Sequence, residues 1–143
     1  MLDKVATILI VDGDRENLRM LDDLLTAEGH NTLLASDRKS ALAFLDSEIP
    51  DLIFLDIRLA AEKNFWFLKR IKSRPGLSCI TVVIIADNIE LDSVVACIQS
   101  GAEDYQLRPF DTTRLNARIK ATLKNTADPL LSKSIGNYTV KRK

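Results

Sequence analysis

Two hydrophobic periods alternate along this chain five times over, and that alternation constrains the fold more than any other feature. Short runs rich in leucine and β-branched residues read as strands: Ile8 to Val11, Thr32 to Ala35, Leu52 to Leu55, Thr81 to Ile85 and Tyr105 to Leu107. Each run is followed by apolar residues at helical spacing. These faces are Leu18, Leu21, Leu24 and Leu25; Ala41, Phe44 and Leu45; Phe65, Leu68 and Ile71; Val94, Val95 and Ile98; and Leu115, Ile119 and Leu123. Strand then helix, repeated in this way, predicts a parallel sheet covered by helices on both faces. The third and fourth runs are nearly continuous in apolar residues, as central strands buried on both sides must be.

The punctuation agrees. Gly29 stands where a left-handed cap should end the first helix, Pro50 precedes the third strand, Pro75-Gly76 closes the third helix and Gly101 the fourth. Asp111 is placed to cap the last helix. The expectation is one doubly wound α/β domain with a five-stranded parallel sheet over residues 5–124. Residues 125–143 carry Pro129, several serines and threonines and the basic end Lys141-Arg142-Lys143, and read as a linker or the start of an output domain that is not included.

Composition narrows the function class. Twenty basic residues balance twenty acidic ones, so no global field steers the chain to nucleic acid or an anionic membrane. No apolar run approaches the roughly 20 residues of a membrane helix, and no secretory signal is evident, so the cytoplasm is the expected location. Cys79 and Cys97 lie in apolar stretches without CxxC spacing and read as buried thiols rather than a disulfide or metal site.

In a doubly wound sheet, ligands bind beyond the carboxyl ends of the strands. Asp12 and Asp14 follow the first strand there, Asp56 the third, Ala86 and Asp87 the fourth, and Arg108-Pro109 the fifth. Asp12 and Asp56 should meet on adjacent strands, where like charges repel unless a cation bridges them. A hard divalent ion such as Mg²⁺ suits such a pocket.

The segments "ILIVDGDREN", "DLIFLDIRLAAEKNFWFLKRIK", "VVIIADN" and "GAEDYQLRPF" resemble the signature segments of response-regulator receiver domains, in the same order and at the same separations. The resemblance implies a flavodoxin-like sheet of strand order 2-1-3-4-5 and a part in a two-component phosphorelay. It implies that Asp56 is the phosphoacceptor position, and that Mg²⁺ is held by Asp12, Asp56 and the backbone carbonyl of Arg58. It further implies that Tyr105 is the switching aromatic and Arg108 the phosphate-binding cation, with a cis peptide bond at Pro109. The implied partners are a sensor histidine kinase or phosphotransfer protein, an output domain in the same chain, and a second copy in a homodimer, with neither nucleic acid nor membrane contacted directly. A regulatory domain of this kind is not an enzyme in its own right.

Three departures fall on the chemistry itself. Gly13 stands where the family has a second carboxylate, Ala86 where it has a hydroxyl, and Arg108 where it has a lysine. Arg108 keeps the positive charge, and so can bind phosphate or pair with Asp56, but its planar fork differs in reach from an ammonium. Asp14, one residue on from Gly13, supplies the missing oxygen if the loop bends. Further along, Ala60 replaces a proline, and Lys63-Asn64 replaces an Asp-Gly turn, with Asn64 able to take the left-handed conformation.

Other readings stand beside this one. A pseudo-receiver would act by phosphorylation-independent protein–protein interaction. A small flavodoxin-like hydrolase or cofactor binder would need a Gly-rich phosphate loop or a nucleophile–histidine pair, and neither is present. Tyr105 reads equally as an ordinary edge-of-core aromatic. Of Phe65, Trp66 and Phe67, one must be exposed, and Trp66 is the expected one. His30 reads as a solvated loop residue. The end "IGNYTVKRK" is similar to the lead-in of many protein-kinase domains.

Overall fold

A computed structural model describes residues 4–127. The elements alternate in chain order: β1 (Thr7–Val11), α1 (Arg15–Ala27), β2 (Asn31–Ala35), α2 (Arg38–Ser47), β3 (Leu52–Asp56), α3 (Ile57–Ser73), β4 (Thr81–Ala86), α4 (Leu91–Gln99), β5 (Asp104–Leu107) and α5 (Thr112–Ala127). All neighbouring strands are parallel, in the order β2-β1-β3-β4-β5. The doubly wound flavodoxin-like sheet read from the periodicity and the resemblance is therefore the observed one.

The period-2 alternation of the strands sorts the core into two halves. Leu9, Val11, Ile53, Leu55, Val82 and Ile84 pack with α2, α3 and α4. Ile8, Ile10, Leu52, Phe54, Val83 and Ile85 point the other way, onto Leu18, Leu21 and Leu25 of α1 and Leu115, Ile119 and Leu123 of α5. Register then fixes what meets at the carboxyl edge. Val11 pairs with Ala35 and Leu55, Asp56 with Ile85, and Ala86 with Leu107. The residue following each of β1, β4 and β5, and the last residue of β3, thus converge on one rim.

Aspartates start four of the helices. The Asp14 carboxylate accepts from the Glu16 and Asn17 amides at 2.8 and 3.3 Å, and Asp37 from Ser40 at 2.7 Å. Asp111 accepts from Thr113 at 2.9 Å, which is the cap read for the last helix. Asp56 itself caps α3. At the end of α1, Gly29 has φ +90° and the His30 amide reaches back to the Leu25 carbonyl at 3.1 Å.

Several local expectations are corrected. The buried face of α4 is Val94 with Cys97; Val95 and Ile98 point outward. Leu91, Val95 and Ile98 form an equally regular helical row, and the sheet selects the other one. Cys79 is exposed while Cys97 is buried, because the segment between α3 and β4 turns Leu77 and Ile80 inward instead. His30 is half-buried rather than solvated, and its Nδ1 accepts the Ala6 amide at 3.0 Å across the start of β1. Within α3 the backbone leaves helical geometry at Glu62 and turns left-handed at Lys63, Asn64 and Phe65 (φ 50°, 57° and 62°). Trp66 is the exposed member of its aromatic triplet and lies under the Arg70 guanidinium at 5.7 Å, while Phe67 is buried. The kinase-like end of the chain lies outside the described residues.

Candidate functional site at the carboxyl edge of the sheet

Asp12 leaves β1 and Asp56 ends β3, each with its backbone fixed by the sheet; both are buried, 6% and 4% exposed. Few carboxylates are buried this deeply without a cationic or hydrogen-bonding partner. Here the partner is Arg108. Its Nη2 donates to Asp12 Oδ2 at 2.8 Å and to Asp56 Oδ1 at 2.9 Å. An Nη nitrogen carries two hydrogens, so each carboxylate receives one. Nη1 lies 3.8 Å from Asp87 Oδ1, at the start of the segment after β4. Nη1 and Nε are buried without a hydrogen-bond partner among the described residues.

The remaining oxygens are held by backbone. Asp56 Oδ2 accepts the Arg58 amide at 3.2 Å, and Asp12 Oδ1 accepts the Asp14 amide at 2.9 Å. Burial pushes the Asp12 carboxyl above its ordinary value, and the nearby Asp56 charge adds to this. The Asp14 amide and Arg108 oppose the rise without cancelling it. For Arg108, burial works against the charge, but the hydrogen bond to Asp56 and the charges of Asp56, Asp12 and Asp87 outweigh it, so its pKa is raised. The guanidinium stays protonated at any working pH.

The other residues named from sequence fall around this centre. Ala86 is buried at the end of β4 and presents no hydroxyl to the pocket. Gly13 is exposed beside Asp12, and a Cβ placed there would meet nothing closer than the Ser36 carbonyl at 3.7 Å. The Asp14 carboxylate is taken up by the cap of α1. Tyr105 is 42% exposed on β5 and stands outside the pocket. The Arg108–Pro109 peptide bond is cis. Asp87, the third acid facing the guanidinium, had no role in the sequence reading. Its position directly after the fourth strand was the signal available.

The residues present do not fit a divalent ion. Among the described residues no group of three or more acids, histidines or cysteines is placed to hold one. Between the only two buried carboxylates of the rim stands a guanidinium nitrogen, in the place such an ion would need.

Fold and pocket together define a class: a small doubly wound α/β domain with a buried, arginine-paired aspartate at the carboxyl edge of its central strand. Comparison with known proteins resolves the class. The profile of the response regulator receiver domain matches residues 8–120, and the chain belongs to that family. It is 38% identical over 119 residues to the transcriptional regulatory protein CpxR of Klebsiella pneumoniae, covering 83% of this chain and 50% of that protein. It is 31% identical over 134 residues to the DNA-binding response regulator MtrA of Mycolicibacterium smegmatis, covering 93% and 58%. The solved receiver domain of NtrX from Brucella abortus superposes with a TM-score of 0.73 at 32% identity, covering 82% of this chain and 98% of that one. The chain thus spans about half the length of curated relatives such as CpxR. No described helix is long and apolar enough to cross a membrane.

Proposed function

We propose that this receiver domain takes a phosphoryl group on Asp56 and serves as the input module of a larger cytoplasmic signalling protein. The observation that carries this is the setting of Asp56. It is a buried carboxylate at the end of the central strand, oriented by the Arg58 amide and charge-paired by Arg108. In the transfer, an Asp56 carboxylate oxygen attacks the donor phosphorus. The P–N bond of a phosphohistidine, or the P–O bond of a small acyl phosphate, breaks, and its electron pair leaves with the donor. The product is an acyl phosphate on Asp56. Such transfers depend mainly on positioning and charge neutralisation, and Arg108, with Nε and Nη1 not yet engaged, can accompany the added charge.

The donor fitting this reading is a sensor histidine kinase or phosphotransfer protein. The segment that follows α5 then leads toward an output domain. With Ala86 in place of a hydroxyl, the route from phosphate to the surface near Tyr105 runs through Arg108 and β5. Acetyl phosphate treatment read by intact mass tests the reading. One added phosphoryl group in the wild type, absent in Asp56→Asn, supports it. No adduct under conditions that label an ordinary receiver sinks it and leaves phosphorylation-independent binding as the function.

A further inference from the structure

We infer that Arg108 is the resident cation of this pocket, occupying permanently the place of a divalent ion, so that the site is metal-independent. The inference rests on the Asp12–Asp56 pocket as described and holds whether or not Asp56 is phosphorylated.

Asp12 and Asp56 face one another at the rim, both buried and both within hydrogen-bond distance of the same arginine nitrogen. Two buried like charges need a counter-charge within contact distance. One nitrogen supplies it to both, at 2.8 and 2.9 Å, with one hydrogen for each carboxylate. The geometry of a bridging cation is therefore already complete. Guanidinium suits the task because it is weakly hydrated and permanently charged, which lowers the cost of keeping it in a buried site.

The chain also lacks an acid that a divalent ion would use. Gly13 removes one carboxylate from the rim, although a Cβ would meet only an ordinary contact there, the Ser36 carbonyl at 3.7 Å. The nearest substitute, Asp14, has its carboxylate turned to two amides of α1. With one acid fewer, the buried rim carries the two carboxylates of Asp12 and Asp56, and the single guanidinium offsets one of their charges and touches both; Asp87, 3.8 Å from Nη1, is faced in addition by Arg58 at 3.9 Å. Loss of the acid and gain of the longer arginine are thus complementary changes. Arg108 is also tethered, so it competes with free Mg²⁺ at an effective concentration on the order of millimolar or above.

Mg²⁺ titrations of the full chain test this, read by calorimetry and by thermal melting against NaCl at matched ionic strength. The wild type should give no saturable heat and no melting shift beyond that of NaCl. Arg108→Ala should melt lower than wild type and recover part of the loss with Mg²⁺, binding it at least about tenfold more tightly. Should that variant not fold, the Gly13→Asp/Arg108→Lys double substitution serves instead and should show saturable Mg²⁺ binding. An equal Mg²⁺ response in wild type and variant, whether both bind or neither does, overturns the inference. These readouts need no phosphoryl transfer, so absence of an acetyl phosphate adduct would count against the phosphoacceptor reading alone.

Discussion

Arg108 reaches Asp56 across 52 positions of sequence, its Nη2 lying 2.9 Å from Oδ1. The same nitrogen holds Asp12, 96 positions away. Three strands, β1, β3 and β5, are therefore tied at their carboxyl ends by one side chain, although β4 separates β5 from β3 in the sheet. The pair is structural as well as chemical, and its removal has consequences for stability.

Arg108→Ala leaves two buried carboxylates facing each other without a cation. Breaking a buried ion pair from one side costs about 3 kcal/mol or more, and the expected loss in urea unfolding is of that size. Adding Asp12→Asn to Arg108→Ala should restore part of the stability, because one charge then remains where two repelled. A double variant no more stable than Arg108→Ala would show that the two carboxylates do not repel measurably once the arginine is gone.

Asp12 makes the pH dependence specific. Its folded-state pKa is raised above 3.8, so the native state holds this proton more tightly than the unfolded chain. Its contribution to stability is full below that value and is lost as pH rises through the raised folded pKa. The melting temperature of wild type relative to Asp12→Asn should therefore be more favourable near about pH 4 than near about pH 7. A difference that moves the opposite way on acidification would mean that the pairing with Arg108 outweighs burial.

Much of this arrangement was legible in sequence, for physical reasons that differ by element. Leu52–Asp56 and Thr81–Ala86 announce themselves because a strand buried on both faces must be apolar throughout. The rim residues follow from the rule that ligands gather at strand carboxyl ends, and so Asp12, Asp56 and Arg108 could be named together. Pairing of Arg108 with Asp56 was within reach of the sequence. The simultaneous bond to Asp12 depends on the three-dimensional path of a long side chain, which no spacing encodes. Periodicity does not orient α4, because its two apolar rows, Val94 with Cys97 and Leu91 with Val95 and Ile98, are equally regular. In α3, Asn64 signalled a left-handed residue, whereas Lys63 and Phe65 carry no such signal and take that conformation because the chain around them requires it.

The two cysteines should separate cleanly in alkylation. Burial lifts the Cys97 thiol to about 11, so almost no thiolate exists at neutral pH, and the side chain is fully covered. Cys79 is exposed on the segment before β4. Iodoacetamide on the native chain should add one group, mapped to Cys79 by peptide mass, with a second only after denaturation. Rapid native labelling of Cys97 would mean that α4 opens from the sheet far more often than its packing implies.

Gly101 and Gly29 allow backbone strain to be separated from collision. Both have positive φ, +121° and +90°, where an alanine costs on the order of 1 kcal/mol. At Gly29 a Cβ would meet nothing within 4 Å, so Gly29→Ala should lose only that amount. At Gly101 the new Cβ would stand 2.8 Å from Lys72 Cγ. A lysine side chain usually moves aside, but this one is anchored at its far end. Lys72 Nζ donates to the Ile80 carbonyl at 2.6 Å and to Glu103 at 2.5 Å, and Glu103 in turn accepts the Val82 amide at 2.7 Å. Moving Lys72 therefore disturbs the connection that joins α3 to the starts of β4 and β5. Gly101→Ala should cost roughly 2 kcal/mol, about twice the Gly29→Ala loss. Combining it with Lys72→Ala, which removes Cγ, should bring the added penalty of the glycine substitution down to the Gly29 level. Equal losses for the two single variants in urea melts would show that the Lys72 anchor yields freely and that only φ matters at Gly101.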